Sequence, residues 1–189
     1  MDRIKIVGIV GSLRLGSYNR QLALLAGSLL GDGVDYSLLD YSDIPFFNQD
    51  IEYPAPSSVV RVRDIVKSAD GVWFFSPEYN HFFPGVLKNL LDWLSRPVSK
   101  DVPQVLSGKP VAVSGLSLGM SGAVVAQDHL VSLLSVLDMR VMNKPRLSVP
   151  NALQQTDASG NLSLSVSVPF LELQVAAFPS FIKNVCSLK

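Results

Sequence analysis

Short apolar runs alternate with amphipathic stretches along most of this chain, and the alternation predicts repeated strand and helix units. Ile4 to Val10 is a compact, β-branched run closed by Gly11, the pattern of a buried strand. Leu22, Leu25, Ala26, Leu29 and Leu30 then recur at the spacing of one helical face until Gly31 and Gly33 stop it. Residues 36–39 read as a second strand, and a Pro-rich loop follows from Asp40 through Pro45 to Pro56. Val59, Val62, Ile65 and Val66 mark a second helix, and Gly71 to Ser76 is a strand apolar on both faces, which requires helices on both sides of its sheet. Pro84 suits the first turn of a third helix with a stripe of Leu87, Leu90, Leu91 and Leu94. A strand over 111–116, a helix over 122–137 and a fifth strand over 141–149, interrupted near Pro145, complete the regular part. The order predicts an α/β fold with a doubly wound, five-stranded parallel sheet. After Pro150 the expectations are a turn at 157–161, a strand-like alternation over 162–168, and a last helix over 170–178 that Pro179 ends or kinks.

Composition narrows the picture. Among 189 residues, 48% are apolar, enough for a packed core without metal or disulfide staples, and no repeat or linker divides the chain, so 1–189 reads as one domain. The 16 basic and 16 acidic side chains cancel, which removes any general electrostatic reason to expect nucleic acid or an anionic membrane as partner. Cys186 is the only cysteine, so no intramolecular disulfide or Cys-rich metal site can form, and a reducing cytoplasm is the expected compartment. No apolar stretch has the length of a membrane span, and the run entered at Ile4 is too short for a signal peptide. With only 17% of residues charged, spare apolar surface points to a homo-oligomer.

In a parallel sheet, ligands bind beyond the carboxyl ends of the strands, which directs attention to the loops after strands one, three and four. The first runs from Gly11 to Arg20 and offers hydroxyls at Ser12 and Ser17, an amide at Asn19, guanidinium groups at Arg14 and Arg20, and the free N–H groups of a helix start. That set suits a single phosphate. No lysine follows Gly11 or Gly16 at the spacing of a triphosphate loop, and Gly8-x-x-Gly11 lacks the spacing of a dinucleotide fingerprint, although Asp40 at the end of strand two keeps the dinucleotide reading open. Simple helix capping needs one such residue and explains neither arginine. The loop from Ser76 to Pro84 combines two prolines with Tyr79, His81, Phe82 and Phe83, which suits contact with a flat heteroaromatic ring. The same composition also fits a core-packed aromatic loop. His81 and His129 have no placed partners for a triad or zinc site.

These residues carry a resemblance. Gly11-Ser-x-Arg-x-x-Ser-x-Asn-Arg20, Leu39-Asp-x-x-Asp-x-Pro45 with Asn48-x-Asp50, Ser76-Pro-Glu-Tyr-Asn80 and Lys88-Asn-x-x-Asp-Trp93 together resemble the NADPH-dependent FMN reductase family over roughly residues 4–150. That family has a flavodoxin-like fold and includes bacterial quinone, azo-dye and chromate reductases. The resemblance implies that Ser12, Arg14, Ser17, Asn19 and Arg20 hold the FMN phosphate, with Ser12, Ser17 and Asn19 in direct contact. It implies that Pro77, Glu78, Tyr79 and Asn80 line the isoalloxazine, largely through backbone atoms around Tyr79 and Asn80, and that Ser117 and Gly119 start a third flavin loop. The family's third loop continues to a second glycine and an arginine, where this chain has Ala123 and Val125; members are commonly homodimers or homotetramers, and Val125 with Asp128 bears on the homotetramer more than on the fold.

No nucleophile, paired carboxylate or metal cluster is evident, and none is required where a flavin carries the hydride. The expected function is transfer from NADPH or NADH through FMN to a small acceptor, with Tyr79, Phe82 and Phe83 walling the shared pocket. The main alternative, a one-electron carrier docking to proteins, usually has a strongly acidic surface, which this neutral chain lacks. A flavin-free domain that merely kept the fold would have lost the phosphate-loop donors, and they are present.

Overall fold

The computed structural model of the protein describes residues 3–187; the ends of the expected 1–189 domain, Met1, Asp2, Leu188 and Lys189, lie outside them. Four strands, β1 (Ile4–Val10), β2 (Val34–Leu38), β3 (Gly71–Phe75) and β4 (Pro110–Leu116), pair in parallel in the order β2-β1-β3-β4. The fifth position is filled in two pieces, β5 (Arg140–Val141) and β6 (Leu147–Val149), which pair with the beginning and the end of β4. The gap falls at Pro145, which has no N–H to give a ladder. This is the doubly wound flavodoxin-like order.

Strand alternation sorts the core into two layers. Val7, Ile9, Val72, Phe74, Val111 and Val113 face α2 (Ser57–Ser68), α3 (Gly85–Leu94) and α4 (Val124–Val136). Ile6, Val10, Trp73, Phe75, Ala112 and Leu116 face α1 (Tyr18–Leu29) and α5 (Val168–Cys186). Every residue of β3 and β4 is buried, as expected of strands covered on both faces.

Three helix boundaries differ from the sequence pattern. α1 starts at Tyr18, a turn before its apolar stripe, because Ser17 caps it and accepts the Arg20 N–H. α4 starts at Val124 because Gly122 and Ala123 both take left-handed backbone, φ +58° and +66°. α5 runs from Val168 through Pro179 to Cys186, with Pro169 in its first turn, where a missing N–H costs nothing.

The expected strand over 162–168 is absent. Only Leu162 pairs, in a single bridge to Thr156, and the N–H groups of Ser163 and Leu164 both donate to the Gln155 carbonyl. Leu164 takes a left-handed conformation (φ +50°) and is fully buried, so the alternating pattern reflects a turn that drops one leucine into the α5 side of the core.

A buried polar chain fixes α5 to the sheet. Trp73 Nε1 donates to Ser114 Oγ at 2.8 Å, and Ser114 Oγ donates to Gln174 Oε1 at 2.6 Å. Gln174 Nε2 in turn donates to the carbonyls of Val113 (3.0 Å) and Pro145 (3.1 Å), closing the gap between β5 and β6. Since losing one partner leaves buried groups unsatisfied, Gln174→Leu should lower stability by roughly 1–3 kcal/mol in urea unfolding. An unchanged unfolding midpoint would show that the chain of bonds contributes nothing.

Candidate functional site

The loops after β1, β3 and β4 converge on a cleft of about 660 Å³ at the carboxyl ends of the strands. A second hollow of about 470 Å³ lies at the opposite edge, between α1 and α5, and is lined mainly by apolar residues such as Ile4, Leu30 and Val175.

The first loop supplies Ser12, Arg14, Ser17, Tyr18 and Asn19. Ser12 Oγ accepts the Arg14 N–H at 3.4 Å and Ser17 Oγ the Arg20 N–H at 3.3 Å. Each hydroxyl therefore keeps its proton for a ligand. The N–H groups of Tyr18 and Asn19 open α1 and have no acceptor within it. Arg14 lies with its guanidinium carbon 5.8 Å from the centre of the Tyr18 ring. Asn19 is buried, and its amide binds Leu116 reciprocally: Nδ2 donates to the carbonyl and Oδ1 accepts the N–H, both at 3.2 Å. That leaves one amide N–H for the phosphate contact expected of it.

The second loop supplies Pro77, Glu78 and Tyr79. Tyr79 and Phe82 exchange both backbone hydrogen bonds around Asn80 and His81, which take φ values of +53° and +60°, the geometry of a tight hairpin turn. The turn spends the Tyr79 N–H on Phe82, so that group is not available to a ring as expected. Glu78 turns away from solvent; its Oε2 accepts the Ala126 N–H in the first turn of α4, and its other oxygen lies 3.5 Å from His81 Nδ1.

The third loop supplies Leu116, Ser117, Leu118, Gly119 and Ser121, with Leu153 from the turn after β6. Ser117 and Ser121 hydroxyls lie 3.2 Å apart, and the Gly119 carbonyl accepts the Asn151 N–H, which holds the loop against the chain beyond β6. Close packing sets this wall: a Cβ on Gly115 would stand 2.3 Å from the Ser76 carbonyl oxygen.

The cleft thus unites Ser12, Arg14, Ser17, Asn19, Pro77, Glu78, Tyr79, Ser117 and Gly119. It does not take in Arg20, Asn80, Phe82 or Phe83. Arg20 faces a neighbouring hollow, and Asn80 is exposed at the hairpin tip. Phe82 packs on the surface between His129 and Phe83, with ring centres 4.5 Å from each, while Phe83 is buried in the core with Leu87 and Leu91. Phe83 is therefore a core residue rather than a pocket wall. Sequence reasoning missed Tyr18, Leu116, Leu118, Ser121 and Leu153; Tyr18 and Ser121 lie within the loops it singled out, whereas nothing in the pattern marks Leu153. Among the described residues, no group of His, Cys, Asp or Glu could hold a metal ion, and no helix is long and apolar enough to cross a membrane.

The model of the NADPH-dependent FMN reductase family matches residues 4–154. An NAD(P)H-dependent FMN reductase of Pseudomonas aeruginosa is 38% identical over 185 residues, covering 97% of this chain and 98% of its own. A 2-hydroxy-1,4-benzoquinone reductase of Burkholderia sp is 34% identical over 181 residues, covering 96% and 97%. Among solved structures, the flavoenzyme NAD(P)H:(acceptor) oxidoreductase FerB of Paracoccus denitrificans superposes with a TM-score of 0.85 at 32% identity, over 96% of this chain and 98% of that one. A cleft with a hydroxyl-rich helix start thus lies in a chain whose matched span takes in all three of its main loops, and the chain belongs to the NADPH-dependent FMN reductase family.

Proposed function

We propose that this chain is an FMN-containing oxidoreductase that passes a hydride equivalent from NADPH or NADH to a small acceptor of the quinone, free-flavin, azo or chromate kind. The observation that carries the reading is the pairing, in one cleft, of protonated hydroxyls at the start of α1 with the aromatic side chain of Tyr79. The donor set fits a phosphate monoester: Ser12 and Ser17 retain hydroxyl protons, the first N–H groups of α1 lack acceptors, and the helix dipole favours an anion there. FMN, when bound, supplies hydride acceptance at its N5 position and two-electron delivery to the acceptor.

The chain's own residues bind and orient. Ser12, Ser17, Arg14 and the remaining Asn19 amide proton hold the phosphate; Pro77 and Tyr79 flank the ring; and Ser117 and Gly119 close the far wall. Tyr79 is half exposed, so the wall it forms stays open to an incoming nucleotide and then to an acceptor. Phe82, Leu118, Met120 and Val124 stay exposed on the loops and helix that border the cleft, an apolar surface that supports a homodimer. The exposed, unpaired Cys186 supports the expected cytoplasmic setting.

Two outcomes follow. Replacing Ser12 and Ser17 together by alanine should weaken FMN binding, since a hydrogen bond to a charged group contributes roughly 1.5–3 kcal/mol; fluorescence titration showing unaltered affinity would remove the phosphate assignment. Anaerobic addition of NADPH or NADH to the FMN-reconstituted protein should bleach the visible flavin band, with recovery on adding menadione. A bound flavin that neither nucleotide reduces would contradict the reductase reading.

A further inference from the structure

Beside the cleft, and sharing Ser12 and Arg14 with it, lies a hollow of about 350 Å³ between the first loop and the carboxyl ends of β1 and β2. Leu13, Leu38 and Leu39 form apolar parts of its lining, while Arg14, Arg20 and Asp40 supply its charges. The charge pattern here differs from that of the rest of the chain. Of the eight arginines, Arg61, Arg96, Arg140 and Arg146 each bond an acidic partner, and the buried Arg63 donates to the Trp93 carbonyl. Among the described residues, Arg3, Arg14 and Arg20 form no ion pair with a carboxylate; Arg3 is exposed just before β1, whereas Arg14 and Arg20 both flank this hollow.

Their position adds to the anomaly. Arg20 is the third residue of α1, whose first turn contains no acidic side chain, and Arg14 lies just before the same helix end. Cations at a helix N-terminus are repelled by its dipole, so two guanidinium groups there are disfavoured until an anion joins them. A flavin phosphate held by Ser12 and Ser17 accounts for Arg14 alone, because Arg20 does not reach the cleft.

We propose that Arg20 receives the 2′-phosphate of NADPH in this hollow and so selects NADPH over NADH. The inference rests on the reductase reading above and adds to it the site that distinguishes the two donors. A dinucleotide with its nicotinamide at the cleft and its adenosine in the hollow passes over the shared Ser12–Arg14 ridge. The apolar side chains suit the adenine face, and the guanidinium fork matches a phosphate monoester. Asp40 is the one carboxylate in the lining. It opposes a phosphate and is itself attracted by Arg61 and Arg20, but its Oδ1 is engaged by the Ser42 N–H (3.1 Å) and the Ser42 hydroxyl (2.8 Å), which hold the carboxyl below its ordinary range, and it forms no direct ion pair with Arg20.

The test compares wild type with Arg20→Ala and Arg20→Lys, both as FMN-loaded protein. The ratio of kcat/KM for NADPH to that for NADH should fall about tenfold or more in Arg20→Ala, the size expected for loss of one charge-assisted contact, and less in Arg20→Lys. Calorimetric titration with adenosine 2′,5′-bisphosphate against AMP gives a readout independent of turnover, and only the bisphosphate should lose affinity in Arg20→Ala. An unchanged ratio, or equal losses with both nucleotides, overturns the assignment. The flavin absorbance of each preparation reports separately on the reductase reading. If FMN fails to load, that reading falls, while the bisphosphate titration still decides the hollow.

Discussion

The cleft depends on one side chain. β1 and β4 are not neighbours, since β3 lies between them, yet the loops that follow β1 and β4 must meet to enclose a ligand. Asn19 makes that connection: from the first turn of α1 it crosses the end of β3 and satisfies both backbone groups of Leu116, the last residue of β4. An amide can do this because it donates and accepts at once, and a buried strand end otherwise carries unpaired groups at a cost of about 1–3 kcal/mol each. The same bond pair sets the height of the α1 N-terminus, and with it the hydroxyls of Ser12 and Ser17, relative to the wall formed by Ser117 and Gly119.

A second constraint works from the neighbouring helix of the same layer. Gln174 ties α5 to Ser114 and, through Pro145, to the break between β5 and β6, so the strand that leads into the third loop is held at its end by α1 and nearer its middle by α5. The close approach of Gly115 to the Ser76 carbonyl then brings the second and third loops together without room for a side chain. Site and core are therefore continuous: three loops with little regular structure of their own are positioned by residues buried in or beside the sheet.

Most of the fold was legible from periodicity because β1, β3 and β4 are short apolar runs and α1 to α3 carry clear stripes. The failures have particular causes. Residues 162–168 alternate leucine and valine with serine, which mimics a strand, but the buried Leu164 in left-handed backbone marks a turn that no period reveals. Pro179 suggested an end or a kink in the last helix; the helix does not end there but runs through it to Cys186, and Pro169 marks its start. In the site, residue types in the first loop were informative because a helix start needs one capping residue, here Ser17, and that leaves Ser12, Arg14 and Asn19 over. Residue types in the second loop were not, since a two-residue turn decides which of Phe82 and Phe83 faces out. The split between Arg14 in the cleft and Arg20 in the adjoining hollow was likewise invisible, because both belong to one motif and differ only in where the helix begins.

The central claim is that the cleft recognises a flavin by its phosphate as well as by its ring. Equilibrium titration of the flavin-free protein with FMN and, separately, with riboflavin measures this most directly, because the two differ only in that group. The account predicts that FMN binds at least about a hundredfold more tightly, the size of two charge-assisted contacts. Equal affinities would mean that the start of α1 is not a phosphate site and would contradict the assignment on which the proposed chemistry rests.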